Sequence, residues 1–172
     1  MKAVDITSSP ARHTPTEPAA RPVPRLAGWA LAALLAFWGI GAIGGGAFLA
    51  SAPDGSNIGF ELDLLEGTPF PDFLLPGLIL FCLGVAAVAL AVVLGRAVHR
   101  QAAPRWMRTV LILTAVGINA WILGEIAFLW STVAAMPEAD RNFFYVFWAA
   151  YVALSVLIGL LTWRVTRRDS GD

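Results

Sequence analysis

Four long apolar stretches decide what this chain can become. They run from Leu26 to about Ala52, from about Phe73 to Val98, from Trp106 to Trp130 and from Phe143 to Val165. Each has at least about 20 residues, enough to cross a hydrocarbon layer of about 30 Å at about 1.5 Å per residue. A water-soluble helix of this length carries a charged face, and these stretches have none. In lipid every backbone amide needs an internal partner, which an α-helix supplies within one segment. The expectation is an all-α polytopic membrane protein with four transmembrane helices in an antiparallel bundle over residues 26–165. Composition agrees: 14% of the residues are charged, against about 25% in an ordinary soluble domain. The length of 172 residues leaves room for one such domain.

The flanks differ in kind. Residues 1–25 are polar and hold Pro10, Pro15, Pro18, Pro22 and Pro24, with no apolar period. Such a segment buries too little surface to offset the entropy of ordering, so a disordered tail is expected, with a second short tail at 166–172. Ala50-Ser51-Ala52 has the small-x-small form of a signal-peptide cleavage site. The apolar run before it is about twice the usual 7–15-residue signal core, so the first stretch is read as an uncleaved span.

Charge placement orients the chain. The basic residues fall in the first tail (Lys2, Arg12, Arg21, Arg25), between the second and third stretches (Arg96, Arg100, Arg105, Arg108) and at the end (Arg164, Arg167, Arg168); only Arg141 lies elsewhere. The positive-inside rule then puts both termini and the middle loop in the cytoplasm, in a plasma membrane. Trp29, Trp106, Trp130 and Trp163 sit near the expected helix ends, where indole prefers the interface. The Arg96–Arg108 cluster would lie at the membrane surface, where it is read first as setting topology and second as a group that could attract anionic headgroups. The opposite side would carry Glu138 and Asp140 in a short loop and a longer loop over residues 53–72.

That longer loop is the one sizeable element expected outside the membrane. Pro53-Asp54-Gly55 signals a turn. Ile58, Phe60, Leu62 and Leu64 alternate with polar or small residues, which suits an extended segment; Leu62, Leu65 and the Gly67 stop equally suit one or two helical turns. Thr68-Pro69 has the form of a cap with proline at a first helical position, and Pro76-Gly77 falls in the opening turns of the second span. Phe60, Phe70 and Phe73 are expected against the mouth of the bundle. The run Pro53-Asp54-Gly55-Ser56, with Leu64-Leu65-Glu66-Gly67-Thr68-Pro69-Phe70-Pro71-Asp72-Phe73-Leu74-Leu75-Pro76-Gly77, resembles a group of small bacterial membrane proteins. These carry an external P-S/D-G…LEG-S/T-PF-x-DFL-x-PG loop between their first two helices. The resemblance covers about twenty-five residues and implies a shared four-helix architecture and no catalytic residues. The long proline-rich tail is atypical of the group.

Within the spans, Glu125 is the one acid. A carboxylate in hydrocarbon is costly and usually faces a bundle interior or a wet cavity, which makes it a candidate proton carrier or a helix-linking group. Asn119 lies deeper in the same helix, about 120° around from Glu125, and is read first as a link between helices. Gly41 with Gly45 and Ala42 with Gly46 form small-x-x-x-small pairs that admit a close backbone neighbour, within the chain or across a dimer. The loop carboxylates Glu61, Asp63, Glu66 and Asp72 have the oxygen chemistry of a hard-cation site, but their spacing departs from the calcium-loop pattern.

Much chemistry is excluded by residue type. Cys82 is the single cysteine, so no intrachain disulfide forms. His13 and His99 are the only histidines, placed in the tail and the basic loop; neither reaches an outer carboxylate, and no nucleophile–histidine pair arises. Lys2 is the only lysine, so there is no phosphate-binding glycine loop with its lysine. No cofactor, resident metal or nucleic acid is expected. The partners expected are the lipid bilayer and either a membrane protein or further copies of the chain. The leading reading is a non-enzymatic accessory or interaction subunit. Second comes a small oligomeric transporter or channel using Glu125 and Asn119; third, a membrane enzyme using the loop carboxylates.

Overall fold

A computed structural model describes residues 23–57, 59 and 61–167. The proline-rich tail through residue 22, with Lys2, Arg12, His13 and Arg21, lies outside the described residues, as do Ile58, Phe60 and Arg168. Four α-helices make up the rest: α1 (Arg25–Ser51), α2 (Leu74–Arg100), α3 (Met107–Ala135) and α4 (Glu138–Thr166). All 4 are long and apolar enough to span a membrane. The chain is thus a multi-pass membrane protein, and its many exposed large apolar side chains, among them Phe37, Val146 and Leu160, meet lipid.

Two helical hairpins make the bundle. α1 and α2 run antiparallel along a seam of glycine: a Cβ on Gly46 would lie 2.5 Å from the Phe81 nitrogen and 2.6 Å from the Gly77 oxygen. One on Gly84 would lie 2.7 Å from the Gly39 oxygen. Gly39 and Gly46 on α1, and Gly77 and Gly84 on α2, are each a heptad apart, which is within about 20° on a straight helix, so they stay on one side and let the backbones touch. Leu31, Leu35 and Leu94 fill the core beside this seam with at most 1% exposure.

α3 and α4 pair through aromatic rings instead. Trp130 stacks on Tyr145 and Trp148 at centroid separations of 5.7 and 6.3 Å, and Phe144 meets Trp148 at 5.9 Å. Between the hairpins the fit is looser. α1 touches α4 where Gly41 faces the Tyr151 hydroxyl, and α2 touches α3 where Leu83 reaches Gly117.

The turns explain where the helices stop. Gln101 adopts a left-handed conformation (φ 51°) and closes α2, its side-chain amide donating to the Val98 carbonyl at 2.6 Å. Met136 and Pro137 alone separate α3 from α4, so Glu138 and Asp140 lie in the first turn of α4 rather than in a loop. Carboxylates there are favoured by the helix dipole, and the backbone stays helical beyond the apolar run. α3 likewise continues past Trp130 to Ala135, which places Glu125 about 15 Å from that helix end at about 1.5 Å per residue, rather than about 7–8 Å.

The 53–73 loop closes one end of the bundle. Asp54 accepts from the Ser56 hydroxyl at 2.8 Å and from the Ser56 N–H at 3.1 Å, and Gly55 takes φ 82°. Leu62–Leu65 forms one 3-10 turn, ended by Gly67 at φ 80°. Leu64, Leu65 and Phe73 are buried against Val133, Phe144 and Trp148, with Phe70 packed beside them. Thr68 and Pro69 do not begin α2: the Thr68 hydroxyl accepts from the Phe70 N–H at 3.2 Å, a local turn. The side chain at the start of α2 is Asp72, which accepts from the Leu74 N–H at 2.9 Å. Pro71 favours extended geometry in the residue before it, which postpones the helix.

Candidate functional site

The gap between the hairpins defines the candidate site. On the loop half of the bundle α2 is held by α1 and α3 by α4, and Gly117, Ala120 and Gly124 offer α2 almost no side chain to pack against. The result is a cavity of about 350 Å³. Pro76, Ile79 and Leu83 form the α2 wall; Trp121, Glu125, Phe128 and Leu129 form the α3 wall; Leu65, Thr68 and Phe70 roof it from the loop. Leu83 against Gly117 closes the floor.

Among the described residues Glu125 is the only ionisable side chain lining this cavity. The indole N–H of Trp148, on α4, donates to its Oε1 at 3.3 Å. Trp121, one turn earlier on α3, lines the cavity beside it. An indole donor suits a carboxylate in a low-dielectric wall: it supplies a hydrogen bond without admitting a charged partner. The carboxylate retains acceptor capacity beyond this bond, since an ionised carboxylate offers about four lone-pair sites.

Asn119 is not part of this site. Its Nδ2 donates to the Ala115 carbonyl at 2.8 Å and to the Ser155 carbonyl at 3.3 Å, tying α3 to α4 at mid-height. The structure does not bring it together with Glu125. Of the small-residue pairs, Ala42 is buried and Gly46 leaves no room for a Cβ against the α2 backbone; a Cβ on Gly45 would make only ordinary contact with Leu80, and one on Gly41 would lie 3.8 Å from the Tyr151 hydroxyl. Glu61, Asp63 and Glu66 are exposed, and Asp72 serves the start of α2. Among the described residues no three of His, Cys, Asp and Glu come together as a metal site. Cys82 is exposed on α2.

Against protein-family models, curated proteins and solved structures, the chain has no match. Its function must therefore be argued from the site. Sequence reasoning missed Trp148 as the partner of Glu125, and Gly117 and Gly124 as the residues that open the cavity. Trp148 was out of reach, because the register of α4 on α3 is a tertiary fact.

Proposed function

We propose that this protein works by binding, not by catalysis. It holds a lipophilic group in the cleft between α2 and α3, and Glu125 reads a hydrogen-bond donor or cationic centre on that group. The carrying observation is a single carboxylate, held by the Trp148 indole, in the wall of an otherwise apolar cavity roofed by the loop. The cavity lies within the usual range of roughly 300–1,000 Å³ for small-molecule sites. Its polar lining, one carboxylate and one threonine hydroxyl engaged in a turn, offers no nucleophile–base pair. An accessory role follows when the lipophilic group belongs to a partner membrane protein. The basic tails and middle loop face the cytoplasm in this reading, and the loop that roofs the cavity faces outward.

The test is gentle solubilisation from native membrane followed by native mass spectrometry. The expected result is a bound small molecule or a stoichiometric partner, lost when Gly124→Phe fills the cavity and weakened by Glu125→Gln. Equal recovery from wild type and Gly124→Phe would end the proposal. A second reading, proton-coupled transport, draws on the same membrane-embedded carboxylate. It predicts proton or solute flux in liposomes that Glu125→Ala abolishes; a Glu125→Ala variant that still transports removes it.

A further inference from the structure

A second depression lies on the other half of the molecule, on the lipid-facing side of the α1–α2 hairpin. It is a groove of about 600 Å³. Ala32, Ala33 and Ala36 line it from α1, with Val88, Ala91, Val92 and Gly95 from α2. Its origin is the close approach of the two helices: small residues on both flanks leave a trough where longer side chains would meet. Trp29, Arg96, His99 and Arg100 stand at one end, the end where α2 finishes.

We propose that this groove binds one anionic phospholipid, an acyl chain lying along the alanine trough and the phosphate held by Arg96 and Arg100. Three observations converge on a lipid. The trough runs from Val88 to Arg100, about 18 Å along α2, close to the roughly 15 Å depth of one leaflet's hydrocarbon. Its polar residues are confined to the end that reaches the interface, as in a lipid, where charge and tail are separated in the same way. Trp29 lines that end with 51% exposure, at the level indoles occupy beside headgroups.

Charge selects the lipid class. Arg96 and Arg100 have no ion-pair partner among the described residues. The described acidic residues all lie on the loop half of the bundle. Among the described residues the guanidinium groups therefore meet a headgroup phosphate without a competing carboxylate, and two of them favour a net negative lipid over a zwitterionic one. A protein partner would need a broader apolar face than a one-chain trough provides.

The experiment uses the full chain in detergent, incubated with phosphatidylglycerol or with phosphatidylcholine of the same acyl chains, and counts retained lipid by native mass spectrometry. One phosphatidylglycerol is expected to stay bound when phosphatidylcholine leaves. Arg96→Gln and Arg100→Gln should each weaken retention roughly fivefold, the effect of removing one basic residue near an anionic headgroup. Arg96→Lys should largely preserve it. Ala33→Phe with Ala36→Phe, which fills the trough from α1, should abolish retention with every charge in place; Val92→Trp does the same from α2 should the α1 variant not fold. The control Arg105→Gln with Arg108→Gln should leave retention unchanged. The inference fails if the filled trough retains phosphatidylglycerol, since the basic surface alone then suffices. Equal loss in the Arg105/Arg108 control, or displacement of the lipid by millimolar inorganic phosphate, overturns it as well.

Discussion

At the scale of single residues, the strongest constraint falls on Glu125, whose hydrogen-bond partner, Trp148, comes from α4. Removing one donor from a membrane-buried carboxylate costs more than the bond itself contributes, because the acceptor is left without compensation. Trp148→Phe is expected to destabilise the fold by roughly 1–3 kcal/mol, and Glu125→Gln by less, since an amide oxygen still accepts. Reversible unfolding in mixed micelles measures both. A double-mutant cycle with Glu125→Leu should return a coupling of about 1 kcal/mol; strict additivity would mean that the 3.3 Å contact contributes nothing. In the loop, hydrogen bonds from the Ser56 hydroxyl and then the Ser56 N–H hold the Asp54 carboxyl below its usual value. The sign follows: this support for the turn is present above the unfolded value of about 3.9 and fades as pH falls through the lowered folded value. The carboxyl carbon resonance of Asp54 should titrate at lower pH than in an unstructured peptide, and Ser56→Ala should raise that midpoint. An unmoved midpoint in Ser56→Ala would remove the hydroxyl as cause.

At the scale of elements, the two hairpins hold together by different means, and the seam between α1 and α2 has no room for added bulk. A methyl at Gly46 or Gly84 meets backbone of the facing helix within 2.5–2.7 Å, and backbone cannot swing aside as a side chain can. Gly46→Ala and Gly84→Ala are each expected to cost about 1–3 kcal/mol through overpacking. Gly44→Ala meets nothing within 4 Å and should be neutral or slightly stabilising, as alanine is the better helix former. Thermal unfolding of the three variants in one detergent decides it; similar losses at Gly44 and Gly46 would refute the seam. This element also marks the limit of what the residues reveal in order. The four spans were legible because lipid selects long apolar runs and little else. The seam was only half legible: Gly46 and Ala42 stood out through four-residue spacing, but the contacts recur at heptad spacing, and Gly39, Gly77 and Gly84 gain their meaning only once α2 is laid against α1. The 53–73 loop was ambiguous because its apolar residues suit both periods. Burial of Leu64 and Leu65 against the α3–α4 aromatics goes with the 3-10 turn.

At the scale of the whole molecule, the fold is two firmly joined hairpins with a wedge between them that opens only on the loop half. The same asymmetry governs charge: among the described residues the carboxylates gather on the loop half, and every basic residue except Arg141 stands at the opposite end. Glu125 was legible as the one acid in a span, but the cavity beside it was not, since it exists only where glycines of α3 face a helix already committed to α1. If the positive-inside rule governs this chain, the cavity roof lies outside the cell and the proposed lipid groove in the inner leaflet. That arrangement is checked by impermeant-maleimide labelling of intact cells. Cys82 is replaced by serine first, because it is the single cysteine and is exposed on α2. New cysteines then replace Ser56, in the loop, and Gln101, after α2. Ser56→Cys should label in intact cells; Gln101→Cys should label only after the membrane is opened. The reverse pattern would invert the protein in the membrane. The cavity would then open from the cytoplasmic side, where its ligand would have to be sought.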